Sequence, residues 1–267
     1  MIKEEIKDLY SEELALLKRI QNYGKDQQQR ELERVESVTL ILLYRIYTNL
    51  FSSLILTVQA LKTGRISFFQ LPVGIILRCC FTDCLFALYL QSVSKEQAYE
   101  ELDLRRIEYA NSLLERNEVY RDQVKSLGEN DDDDFINDMW ELTMEDNYLG
   151  LLTLANDNCG DLTITKKSKD DLKKAGFSRI RSVETKKLTE FLNGIPEIKA
   201  VSTKLYQYFK YFSQYEHFSE NGQGDVFASG EKDGNDNIHL PSAIRALSAG
   251  VKEVINGCSN ITAINER

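Results

Sequence analysis

Proline is nearly missing from this chain, with three residues in 267 where average usage is roughly 5%. Proline removes a backbone donor and clashes inside a helix, so its scarcity leaves long stretches free to be helical and argues against a loop-rich all-β fold. There are only two histidines, and no Cys or His stands at ligand spacing from either, so no zinc site and no other metal site is expected. Five cysteines, odd in number and partly adjacent, do not read as a disulfide framework. A net charge of -9 argues against a protein whose main business is coating nucleic acid. The chain has no Walker-type glycine loop, no G-x-G-x-x-G, no G-x-S-x-G elbow and no H-E-x-x-H. Most common enzyme classes therefore lack a warrant, and no cofactor is expected. What is present is ordinary for a folded protein: 42% hydrophobic and 28% charged residues, which rules out disorder throughout.

The opening Met1-Ile2-Lys3-Glu4-Glu5-Ile6 is charged and amphipathic, unlike a signal peptide, and a cytoplasmic location is expected. Two later segments, 38–60 and 73–93, are each long enough to cross a bilayer. The first holds Arg45 and Asn49 near its middle, and the second holds Arg78 and Asp83. A central Arg or Asp costs about 2.5–3.5 kcal/mol on insertion. Buried core helices are the expected reading, with a two-helix membrane protein as the alternative.

Helical periodicity dominates the pattern. Ile2, Ile6, Leu9, Leu16 and Ile20 predict an amphipathic helix that fades near Gly24. A second helix is predicted from Asp26 to Thr63, polar as far as Glu36 and then largely apolar. Pro72 suits the first turn of a third, ending near Ser92. Ser94 with Gln97 is a capping-box pattern that opens a long helix stopped by Gly128. Composition then changes abruptly. Residues 129–146 carry nine acids and no base, whereas Lys166 to Lys187 is strongly basic. Within the basic part, Ser168 with Asp171 caps one short helix ended by Gly176, and Ser182 starts another ended by Gly194. Pro196 introduces a helix to Phe218, residues 220–240 read as a Gly-rich loop with room for a hairpin, and a last helix follows from Pro241 to Asn256. The expected fold is all-α: a multi-helix bundle with long core helices, in which 1–128 and 196–267 form one bundle and 129–195 is a smaller helical insertion.

Candidate sites follow from the helical wheel, at about 100° per residue. In the last third, Val201, Leu205, Tyr208, Phe212 and Tyr215 share the expected core side, while Tyr206, Lys210, Ser213 and His217 fall opposite. Histidine titrates near neutrality and lysine binds anions, so this row is a candidate ligand site. Its plain counterpart is a solvated face. Arg45 and Asn49 belong to a polar stripe with Thr48, Ser52 and Gln59, which faces a polar cavity if the helix is central and water if it is peripheral. Arg78 is surrounded in sequence by apolar residues and is expected to pair with a carboxylate, because a buried unpaired Arg is very costly. Asp83 lies about 140° round the same helix, so the two are expected to have different partners. Cys80 and Cys84 read as core thiols. The Asp131–Asp134 run lacks the alternation and glycine of a calcium loop. The basic segment and its two short helices invite a helix-turn-helix reading, but the lysines are scattered, and docking on the acidic segment is simpler.

Leu77-Arg78 on an apolar helix, with Tyr211-Phe-Ser213-Gln-Tyr215-Glu-His217 further on, resembles bacterial all-helical proteins of unknown function, similar to the abortive-infection and HEPN-like families. The resemblance implies a helical bundle, a role in defence or stress systems, and a metal-independent ribonuclease in which His217 acts as acid–base group and Arg78 or Lys210 holds phosphate. In HEPN ribonucleases Arg and His stand four to six residues apart on one helix. Here the nearest cation, Lys210, is seven residues before His217. Two functional readings follow. One is a non-catalytic cytosolic bundle that binds a protein partner, itself or a small anionic ligand through Arg45, Asn49, Tyr206, Lys210 and Ser213. The other is the ribonuclease, with RNA as its nucleic-acid partner.

Overall fold

The computed structural model describes residues 2–27, 31–63, 67–126, 153–156, 162–165, 168–216 and 239–265. Among these are α1 (Ile2–Gln27), α2 (Arg34–Thr63), α3 (Ser67–Ser92), α4 (Lys95–Ser126), β1 (Thr153–Asn156), β2 (Leu162–Thr165), α5 (Lys169–Lys174), α6 (Thr185–Leu192), α7 (Pro196–Glu216) and α8 (His239–Asn265). The chain is an all-α bundle. His217, the acid-rich segment 129–146 and the loop 220–238 lie outside the described residues.

Local chemistry explains where the helices begin and end. Helix α1 buries Ile6, Leu9, Leu16 and Ile20, and it passes through Gly24 rather than fading there. A single glycine within a helix costs only about 1 kcal/mol. Helix α2 starts at Arg34 instead of Asp26 because Glu36 reaches back to accept the Glu33 N–H at 3.0 Å, while Ser37 N–H bonds the Glu33 carbonyl at 2.8 Å. Helix α3 begins upstream of Pro72, which sits inside it at the loss of one backbone bond. The capping box of Ser168 and Asp171 is formed, and Gly176, at φ 86°, ends α5.

The chain packs as two units, 1–95 with 184–267, and 96–183. In the first, α3 is the axis, packed against α2, α6, α7 and α8, while α1 packs on α2 and α8. Leu77, Cys80, Phe81, Cys84, Leu85 and Ala87 of α3 are wholly buried. Helices α2 and α3 are both long and apolar enough to cross a membrane. Of their most apolar stretches, however, 72% is buried within the molecule for α3 and 33% for α2.

The second unit is organised by carboxylates on α4. Composition puts a boundary at Gly128, but α4 belongs here because its Leu104 and Ile107 pack with Leu172 and Phe177. Glu100 accepts the Ser178 and Arg179 N–H groups and the Ser178 hydroxyl. Burial tends to raise its pKa, but these hydrogen bonds and the Arg179 charge outweigh that and lower it. Glu101, fully buried, accepts Arg105 Nε at 2.8 Å, Arg179 Nη1 at 2.9 Å and the Val183 N–H. Glu108 takes both the N–H and hydroxyl of Ser182. Ser182 therefore does not cap the next helix; α6 starts at Thr185, and its cap residue Glu184 makes no side-chain capping bond. The insertion is also not wholly helical. Strands β1 and β2 form an antiparallel hairpin with Thr153 opposite Thr165 and Asn156 opposite Leu162. Four residues per strand are too few for alternation to stand out in sequence. The two short helices of the basic segment, α5 and α6, fall in different units.

Candidate functional site

Both charges on α3 leave their own helix for partners, and the partners differ as the 140° separation required. Asp83 meets Arg45 Nε of α2 at 3.3 Å. The Arg45 side chain is 62% exposed, so its polar stripe faces outward: Thr48, Ser52 and Gln59 are exposed and Asn49 is half-buried. Arg78 donates from Nε to the Ser213 hydroxyl at 3.0 Å, and its guanidinium lies over the Phe209 ring at 5.2 Å. Ser213 in turn donates to the Phe209 carbonyl at 2.7 Å. A hydroxyl and an aromatic ring are thus two of the groups that hold Arg78. Tyr206 stacks on Phe209 at 5.8 Å. Three of the sequence candidates, Arg78, Tyr206 and Ser213, thus converge on Phe209, whereas Lys210 is exposed and Arg45 and Asn49 belong to another helix. This cluster ties α7 to α3.

Behind it runs an aromatic ladder. Phe81 stacks with Tyr208 at 5.8 Å and with Phe212 at 6.1 Å, and Tyr211 meets Phe212 edge-on at 5.2 Å. These contacts hold the rings of Tyr208 and Tyr211 in set positions. Beneath them are Cys80 and Cys84, whose thiols burial pushes well above their ordinary range, with Asp83 adding to the effect. They are protonated core side chains.

The two tyrosines form one wall of a cleft of about 660 Å³ between α7 and α8, lined by Lys204, Gln207, Tyr208, Tyr211, Arg245 and Ala249 among others. Its shape follows from small residues. At Gly250 the helices approach so closely that an added Cβ would stand 2.8 Å from Leu205. Toward the start of α8, Ala246 and Ala249 keep the floor low. Lys204 and Arg245 are exposed at the cleft. Arg245 is oriented by Glu12 of α1, which accepts its Nε at 2.9 Å and raises its pKa further. Cleft volume, aromatic walls and a few oriented polar groups are the ordinary ingredients of a small-molecule site. The wheel put Tyr208 on the core side and so did not mark it as a site residue; Arg245 was missed because it lies on α8, and Lys204 because α7 alone does not show that a second helix borders its face.

A second feature escaped the sequence reading. Glu13 is wholly buried on α1, with the Ser53 hydroxyl donating to its Oε1. Burial pushes its pKa up to about 7, against the opposing pull of the Ser53 and Thr57 hydroxyls. The signal was available: Glu13 fills the gap between Leu9 and Leu16 in the apolar stripe, where a leucine would be the neutral choice. Among the described residues no cluster of His, Cys, Asp or Glu could hold a metal ion.

No protein-family model, curated protein or solved structure matches this chain.

Proposed function

We propose that the chain is a non-catalytic helical bundle that binds a small anionic ligand bearing a planar ring, in the cleft between α7 and α8. The observation that carries this reading is the pairing of tyrosine walls, immobilised by the Phe81 and Phe212 stacks, with Lys204 and Arg245 beside them. A ring stacks on tyrosine without a large entropic cost, and an oriented guanidinium meets a carboxylate or phosphate through two parallel bonds. Calorimetric titration with AMP, adenosine and inorganic phosphate tests it. AMP is expected to bind more tightly than either of its parts. Lys204→Ala and Arg245→Ala are each expected to weaken it about tenfold, or about 1.4 kcal/mol. No heat with AMP, or unchanged affinity in the double variant, overturns the reading.

A metal-independent ribonuclease using His217 with Arg78 or Lys210 is the weaker proposal. Arg78 already uses its Nε on Ser213 and its face on Phe209, and an arginine held this way serves as a clamp between helices.

A further inference from the structure

Helix α2 has its polarity partly inverted. Its inward stripe includes Thr39, Ser53 and Thr57, while Tyr44, Ile41, Phe51 and Ile55 point outward with 64%, 56%, 50% and 49% of their surface exposed. Scattered exposed apolar residues need no explanation, but four on one helix face do. Taking Thr48 as origin, Ile41, Tyr44, Arg45, Phe51, Ser52 and Ile55 all fall within about 60° of it on the wheel.

The order of these residues is symmetric about Thr48 to within one residue. Ile41 and Ile55 stand seven residues on either side of Thr48, and Tyr44 and Phe51 stand four before and three after it. An antiparallel pairing about Thr48 brings Ile41 level with the partner's Ile55 and brings Tyr44, on the same flank as Phe51, to within one residue of the level of the partner's Phe51. We infer that this face docks a second copy of the same chain, α2 against α2 and antiparallel. Ile41 then meets the partner's Ile55, Tyr44 meets the partner's Phe51, and Thr48 meets its own counterpart at the crossing. The aromatic contact and the aliphatic contact are each made twice, as an isologous interface requires.

Three further observations favour a copy over another occupant. Thr48 and Ser52, small enough to let two backbones approach, donate their hydroxyls to the Tyr44 and Thr48 carbonyls of their own helix at 3.0 and 3.2 Å. Those hydroxyls need no water at a closed interface. Arg45 is the single charge on the face, and it is already paired with Asp83. Two molecules of net charge -9 can therefore approach here without opposing like charges. Finally, the four side chains offer roughly 500 Å² per copy, so a pair buries about 1,000 Å², the lower limit for a specific interface. The cleft between α7 and α8 uses none of these residues, so this inference stands apart from the ligand proposal.

Sedimentation of the full chain over a concentration series tests it. The wild type is expected to dimerise in the micromolar range, more tightly at higher salt as charge repulsion is screened. Phe51→Glu and Ile55→Glu are each expected to weaken the dimer at least tenfold while leaving the circular dichroism, and the melting temperature of the monomer at concentrations below the dimer's dissociation constant, unchanged, since both side chains are exposed. Thr48→Cys is expected to cross-link to itself under mild oxidation, above the background of the wild-type cysteines. A monomeric wild type, a dimer indifferent to both glutamates, or a Thr48→Cys variant that does not cross-link overturns the inference. So does a monomer that binds phosphatidylcholine–phosphatidylglycerol vesicles through this face.

Discussion

Glu13 ties stability to pH because it ionises in the unfolded chain long before it does in the folded one. Below about pH 4.5 it is protonated in both states and costs nothing. Between there and about 7 the unfolded chain releases its proton while the folded chain keeps it, so stability falls as pH rises and the loss levels off above 7. The full penalty is about 3 kcal/mol. Glu13→Gln keeps the shape without the charge. It is expected to be more stable than the parent at pH 8 and nearly equal to it at pH 4, as read by denaturant melts at the two pH values. A constant difference at both would mean that burial of the charge is not what the substitution relieves.

At the scale of elements, the seam joining α3, α7 and α8 depends on having no side chain at one position. A Cβ at Gly250 would stand 2.7 Å from Cys84 Sγ and 2.8 Å from Leu205 Cδ1, and both neighbours are fully buried. Gly250→Ala is expected to destabilise the protein by about 1–3 kcal/mol despite alanine's better helix propensity, because a packed core has no room to yield. Thermal unfolding checks this, and a rise in melting temperature would show that the seam relaxes. In the other unit, the segment from Ser178 to Val183 has no regular structure of its own, and α4 supplies its bonds. Glu101→Ala leaves Arg179 and the Val183 N–H without their acceptor and is expected to cost roughly 3 kcal/mol.

Across the whole molecule, these two substitutions should be felt in different places. Amide hydrogen exchange is expected to show Glu101→Ala losing protection within 96–183, and Gly250→Ala within 1–95 and 184–267. The reverse distribution would contradict the division. That division was only partly legible beforehand. A composition change at Gly128 is easy to see, yet it is not where packing changes, because Leu104 and Ile107 on the same continuous helix already pack with Leu172. The existence of the helices and the cap at Ser168 could be read from spacing and from Ser, Gly and Pro, but not every end: α2 starts at Arg34 where Asp26 was expected, and α8 runs to Asn265, past the expected Asn256. So could the different partners of Arg78 and Asp83, since an angle on a wheel is a local quantity. The identity of those partners could not, nor could the cleft, whose two walls come from α7 and α8 and meet only because Gly250 permits it. Helical periodicity arises among neighbours three and four residues apart and is written along the chain. Which face meets another element, and which polar group ends up buried like Glu13 or exposed like Arg45, depends on how distant helices cross, and only their packing sets that.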